Sequence, residues 1–181
     1  MKNQKLLMLV EGGIMIALAT VLSFIKLFKM PQGGSITAAS MLPIMIFAMR
    51  WGVGRGLTVA TLYGILQYIL EPYFFSPMQV ILDYPIAFGL LGLAGIAKGH
   101  LSSPRTKIRW ILPSCGLGML GRTIAHVLSG VIFFYEYAGA KNPWLYSIEY
   151  NGSFMLVELI ITSIIIYAVW DPIQKAIPVR T

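Results

Sequence analysis

The chain has 181 residues, 57% of them hydrophobic and only 12% charged, and its mean hydropathy is +0.74. That balance leaves too little polar surface for a soluble domain of this length and points to an integral membrane protein. A lone Cys115 excludes a disulfide framework and a cysteine-based metal site, and the net charge of +7, which would suggest nucleic acid in a soluble protein, here reports cytoplasmic loops.

A helix needs about 20 apolar residues to cross the hydrocarbon core. Six segments qualify as candidates: Leu6–Leu27, Ile36–Trp51, Gly54–Leu70, Met78–Ala97, Ile108–Tyr135 and Ser147–Trp170. The first follows Lys2 and Lys5 and runs past Leu22 without a small-residue cleavage site, so it reads as a transmembrane helix and not a removed signal. The second and third are short and are split by a tight basic turn, Arg50 to Arg55. The fifth is long enough to tilt or protrude. No soluble insertion and no internal repeat interrupts them, which predicts one all-α transmembrane domain over residues 1–181.

Ten basic residues, Lys2, Lys5, Arg50, Arg55, Lys98, Arg105, Lys107, Arg109, Lys175 and Arg180, fall on the side of the termini; three, Lys26, Lys29 and Lys141, fall on the other, and Arg122 lies within a span. The positive-inside rule then puts both termini in the cytoplasm, in agreement with six spans.

In that orientation Asp83 sits one to two turns below the outer surface, in the apolar stretch ILDYPIAF. Gln79, four residues earlier, shares its helix face. His126 falls in the outer half of the fifth span, Phe133 and Phe134 near its outer end, and Tyr146, Tyr150 and Asn151 at the outer start of the sixth. Tyr63 is mid-span in the third, with Tyr73 in the loop after it. A tyrosine at this depth is commonly an interfacial belt residue, and a lone histidine commonly bonds a neighbouring helix. An intramembrane aspartate is different, because burying its charge is costly enough to make a functional role the default. A carboxylate favours a cation or a pair of donors, aromatic faces attract cations and flat rings, and His126 and Asn151 offer directional hydrogen bonds. The set describes a flat, polar, cationic heteroaromatic solute approaching from outside.

The stretches GGSITAASMLPIMIFAMRWG (33–52), YGILQY (63–68), MQVILDYPIAFGLLGLAG (78–95), HVLSGVIFFYEYA (126–138) and YSIEYNGS (146–153), in this order on six spans, resemble the thiamine-specific substrate-binding subunits (S-components) of energy-coupling factor transporters. The resemblance covers nearly the whole chain. It implies a six-helix fold with a vitamin site near the outer face and a multi-pass place in the plasma membrane of a prokaryote. It further implies that Asp83 faces the thiamine aminopyrimidine, with Tyr84 completing an acid–tyrosine pair. His126, Tyr146 and Asn151 fall on ligand-contacting positions, Phe134 on a stacking position and Tyr73 on an outer-loop tyrosine. Gly34 stands where some members carry a lid tryptophan, and Asp83 is one methylene shorter than the glutamate of some relatives. The implied partners are thiamine, a transmembrane coupling subunit, two ABC-type ATPases and the lipid bilayer, with no cofactor, metal or nucleic acid.

In the first span, Gly13 and Ala17 form a small-xxx-small pair. Such pairs often serve internal packing; in the family a similar motif meets the coupling subunit. Glu11 beside it reads as an interfacial charge or a buried helix cap. Gly116 to Gly121 matches GxGxxG but has no preceding strand, so close helix packing explains it, as it does Gly89, Gly92 and Gly95. Walker A, HExxH and GxSxG sequences are absent, so the chain carries no ATPase motif of its own. The strip 105–109 reads as a solvated cytoplasmic turn, with anionic lipid heads as a second reading. Two alternatives stand beside the leading one: the same architecture for another heteroaromatic vitamin or precursor, and a small intramembrane enzyme using Asp83 and His126 as an acid–base pair.

Overall fold

The computed structural model describes residues 2–31, 33–101 and 104–176, with the backbone alone for residues 2, 104–106 and 108. Arg180, counted above with the cytoplasmic basic residues, lies outside the described residues, as do the side chains of Lys2 and Arg105.

Among the described residues the chain forms six main helices, a short 3₁₀ helix at Tyr135–Ala138 and one two-stranded hairpin. The helices are α1 (Lys2–Phe24), α2 (Leu42–Trp51), α3 (Val53–Leu70), α4 (Pro77–Ala97), α5 (Pro104–Phe133) and α6 (Pro143–Ala176). Four of these, α1, α4, α5 and α6, contain segments long and apolar enough to cross a membrane. Their outward faces carry exposed large apolar side chains, such as Leu9, Ile14 and Val21 on α1 and Leu156, Ile160 and Ile164 on α6. Faces of that kind are suited to lipid and not to water.

The first expected span ends earlier than Leu27. Helix α1 stops at Phe24, and the chain turns into strands β1 (Lys26–Lys29) and β2 (Ser35–Thr37), paired antiparallel with Lys29 opposite Ser35. Pro31 and the Gly33–Gly34 pair are poor helix formers, and Gly33, at φ +99°, turns the hairpin. An ion pair from Lys26 to Glu71 ties it to the end of α3. The expected second span is correspondingly shortened at its start. Helix α2 has ten residues, a rise of about 15 Å, half the hydrocarbon thickness. It is buried on nearly every residue, with Ile44, Met45, Phe47 and Met49 at the centre of the core.

Glycines decide how closely the next layers meet. A Cβ at Gly92 would lie 2.2 Å from the Leu57 nitrogen, and one at Gly95 2.4 Å from the Val53 nitrogen, so α4 rests backbone to backbone on α3. Gly118 and Gly121 likewise face Leu91 and Leu90 of α4, which accounts for two glycines of the GxGxxG match; Gly116 faces open space.

Two charged sites differ from expectation. Glu11 is neither interfacial nor a cap: it is buried and takes both oxygens to Arg50, which is itself 2% exposed. The strip 105–109 is helical, as the first turns of α5, and Lys107 is buried there with its amine 2.6 Å from Asp171 on α6. Arg105, Thr106 and Ile108 have no described side chains.

Candidate functional site

At one end of the bundle a cavity of about 470 Å³ opens between the hairpin, the loop after α3, and helices α4, α5 and α6. Of the residues singled out in the sequence, Gly34, Tyr73, Gln79, Asp83, Tyr84, His126, Phe134, Tyr146 and Asn151 all line it. Tyr63 does not. It is fully buried, its hydroxyl donates to the Ala19 carbonyl at 3.3 Å, and it borders a separate smaller chamber, so the expectation of a direct ligand contact is corrected.

Asp83 is aimed by a distortion of its own helix. Ser76 caps α4, its hydroxyl accepting the Gln79 N–H at 3.2 Å, and Pro77 starts it. Pro85 then interrupts the ladder, because it has no N–H to give. The helix widens to a π-turn over Leu82–Ile86, and the Ala87 N–H closes back on Leu82. Asp83 sits in that widened turn. Its Oδ2 accepts from the Gln79 amide at 2.7 Å and from the Ser129 hydroxyl at 2.7 Å; its Oδ1 faces Nδ1 of His126 at 3.0 Å.

The proton on His126 is fixed by its other neighbour. The Nε of Arg122, which can only donate, lies 3.2 Å from Nε2 of His126. Nε2 must therefore accept, which leaves the proton on Nδ1, donating to Asp83. The result is a neutral imidazole between a guanidinium and a carboxylate. Both ring nitrogens are engaged, so His126 presents its ring to the cavity and not the free hydrogen bond expected of it. Arg122 also stacks over the Phe88 ring at 3.9 Å and contacts the sulfur of Met41.

The walls are aromatic. Phe134 packs with Tyr73 at 5.8 Å and Phe75 at 5.3 Å between ring centroids. Across the cavity Tyr146 and Tyr150 stack at 6.0 Å with planes 20° apart. Tyr84 holds the rim: its hydroxyl accepts the Tyr73 N–H at 3.0 Å and donates to the Glu71 carbonyl at 3.1 Å. A hydrogen bond with Tyr137 raises the Tyr73 phenol above the usual tyrosine range, so it stays protonated. Asn151 commits its amide nitrogen to Ser147 and to the His126 carbonyl, leaving its oxygen to accept from a ligand. Gly34 gives its N–H to the Tyr150 hydroxyl at 3.4 Å, and a Cβ there would meet the Phe154 ring at 2.8 Å.

Sequence reasoning missed Ser129, Phe154 and the part of Arg122 in orienting His126. Arg122 was visible as a charge inside a span, and its i,i+4 spacing to His126 was the signal. Pro85 next to the Asp83–Tyr84 pair was a second signal, for the π-turn. The Gly13 and Ala17 pair is exposed, with nothing within 4 Å of a Cβ built on Gly13. Internal packing is therefore not its purpose here; the neighbouring Gly12 does that, against Phe47 and Val59.

Long apolar helices around a cavity with a held carboxylate, a neutral imidazole and opposed aromatic walls have the form of a membrane protein that binds a small solute. The model of the thiamine transporter protein family (Thia_YuaJ) matches residues 9–177. The chain belongs to that family, and is thus a transport protein and not an enzyme. It is 35% identical over 175 residues to the thiamine transporter ThiT of Bacillus subtilis (strain 168), covering 91% of both chains. It is 28% identical over 180 residues to the ThiT of Lacticaseibacillus paracasei, covering 91% of this chain and 87% of that one. Among solved structures, ThiT from Listeria monocytogenes superposes with a TM-score of 0.87 at 29% identity, over 96% of this chain and 98% of that one.

Proposed function

We propose that this protein is the thiamine-binding subunit of an energy-coupling factor transporter, capturing the vitamin on the extracellular side of a prokaryotic plasma membrane. The observation that carries the reading is the Asp83 carboxylate, held by Gln79, Ser129 and His126 at an aromatic-lined cavity, in a chain of the thiamine transporter family. Its size falls within the range of about 300–1,000 Å³ usual for small-molecule sites.

Each part of thiamine meets matching chemistry. The aminopyrimidine donates to Asp83 and to the Asn151 oxygen. The thiazolium cation is drawn to the faces of Phe134, Tyr146 and Tyr150 and to the negative charge of Asp83. Gln79, Ser129 and His126 hold Asp83 aimed, so little is reorganised when the ligand arrives. Tyr84 and Tyr73 shape the rim, and Gly34 brings the hairpin backbone against the ligand.

In this reading all six helices cross the bilayer, α2 doing so together with the turn before it. Both termini are cytoplasmic, supported by ten basic residues on their side against three on the other. Transport needs a membrane coupling subunit and two ABC-type ATPases, since the sequence carries no Walker A motif. The exposed Gly13 and Ala17 are suited to close helix contact with the coupling subunit. Release follows reorientation of the bundle, which ligand binding biases only through unequal affinity for the two states.

The test is uptake of labelled thiamine into proteoliposomes. This chain alone is expected to bind without accumulating the vitamin, and with the coupling subunit and ATPases to accumulate it when ATP is supplied. Accumulation by this chain alone, or none with the full set, contradicts the reading.

A further inference from the structure

Glu158 lies on α6 in an otherwise apolar run, Leu156 to Ile161. It is 1% exposed and is not part of the cavity wall described above. Its Oε1 accepts two hydrogen bonds from one residue: the backbone N–H of Thr37 at 2.6 Å and the Thr37 hydroxyl at 2.8 Å. Its Oε2 is buried without a hydrogen-bond partner among the described residues. The carboxylate borders a chamber of about 50 Å³, lined also by Arg122, Gln67 and Ser40, which adjoins the main cavity and shares Arg122, Phe88 and Phe154 with it.

A carboxylate in such a place costs free energy that a leucine would not, so its bonds must accomplish something. What they hold is the last residue of β2. The hairpin that ends at Thr37 brings Lys29, Met30, Gly33, Gly34 and Ser35 into the cavity wall. The Thr37 oxygen in turn accepts the Ser40 N–H at 3.1 Å, so the same grip reaches the turn that opens α2. The pairing of β1 with β2 spans a few residues, and an isolated two-stranded hairpin is marginal by itself. Its placement depends on its attachments: Lys26 to Glu71, the Gly34 N–H to the Tyr150 hydroxyl, and the paired bonds of Thr37 to the buried Glu158.

We propose that Glu158 is the positioning residue for the hairpin 26–37. By fixing Thr37 it holds that wall of the cavity against bound ligand, with Arg122 supplying the counter-charge that it also supplies to the Asp83–His126 pair. A ligand leaving past the hairpin then has to wait for Thr37 to part from Glu158. This deepens the thiamine-binding reading and rests on it for the part that concerns release.

The experiment combines amide hydrogen exchange on the ligand-free protein with the rate of labelled thiamine release. E158A is expected to speed both exchange across residues 26–37 and thiamine release about tenfold or more, as loss of a charge-assisted pair of bonds implies. Exchange in α3 should stay as in wild type. E158Q keeps an oxygen for both Thr37 donors and should restore most of the protection. T37V keeps the backbone bond to Glu158 and removes the hydroxyl with its bonds to Glu158 and Ser40, and should fall between. Wild-type hairpin exchange in E158A and T37V overturns the proposal, and so does a rise spread equally over α3. Should E158A fail to fold, T37V decides in the same way. Failure of the wild-type protein to bind thiamine would overturn the thiamine reading, while a selectively loosened hairpin in E158A would still support the positioning role.

Discussion

Nδ1 of His126 stands 3.0 Å from Oδ1 of Asp83 with its proton directed there, because Arg122 occupies the other ring nitrogen. Three charged or polar side chains, none of them adjacent in sequence, thereby act as one unit. A cationic ligand that meets Asp83 meets a carboxylate whose donors are already in place.

Replacing Asp83 by Asn removes the charge and retains the shape. Thiamine binding should weaken by about 10- to 100-fold, the range for losing a hydrogen bond to a charged group, with the melting temperature little changed. Calorimetric titration of D83N checks this; wild-type affinity would take Asp83 out of the site.

Arg122→Gln should cost both affinity and stability. It frees Nε2 of His126, letting the imidazole change tautomer, and it takes away a cation that lines both the cavity of Asp83 and the chamber of Glu158. About a tenfold loss in affinity is expected, with a lower melting temperature. The measurement is titration of R122Q paired with a thermal melt; unchanged affinity would show that the tautomer does not matter to the ligand.

At Phe134 two substitutions separate ring from bulk. Phe134→Ala should weaken thiamine binding by about tenfold, since an aromatic face toward a cation is worth on the order of 1 kcal/mol or more when desolvated. Phe134→Trp should bind at least as well as wild type. Equal binding by both variants in the same titration would mean that the ring does not stack on the ligand.

Leucines at Gly13 and Ala17 would project from an exposed face with room around Gly13. The double variant should bind thiamine like wild type and yet fail to copurify with the coupling subunit or to support uptake. Retained uptake would move the contact elsewhere.

The Glu11–Arg50 pair is buried, and Glu11→Gln takes the carboxylate charge away from the guanidinium. Glu11→Gln should destabilise the protein by about 3–5 kcal/mol, the usual cost of opening a buried ion pair, without altering thiamine affinity once the protein is folded. Denaturation of the variant in detergent gives the value.

How far the sequence foretells all this depends on the kind of signal. Asp83, Gln79 and His126 were legible because a polar group in an apolar span has few innocent explanations. Helix existence was legible from hydropathy, yet its ends were not: hydropathy runs smoothly from α1 into the Leu27 and Phe28 of the hairpin, and only the backbone pairing of β1 with β2 separates them. Tyr63 misled because depth in a span does not say which way a side chain faces. Glu158 obeys the same rule that exposed Asp83, but its partner Thr37 is 121 residues away, beyond any local pattern. The π-turn that aims Asp83 was written in Pro85, although its geometry emerges only where the freed carbonyls find new partners.

The most direct test of the central claim is calorimetric titration of the purified, ligand-stripped protein with thiamine, and with riboflavin and biotin as controls. One-to-one binding of thiamine alone, tighter than micromolar, is the predicted result. A folded sample that takes up no heat-detectable thiamine, or that binds one of the controls instead, would contradict it.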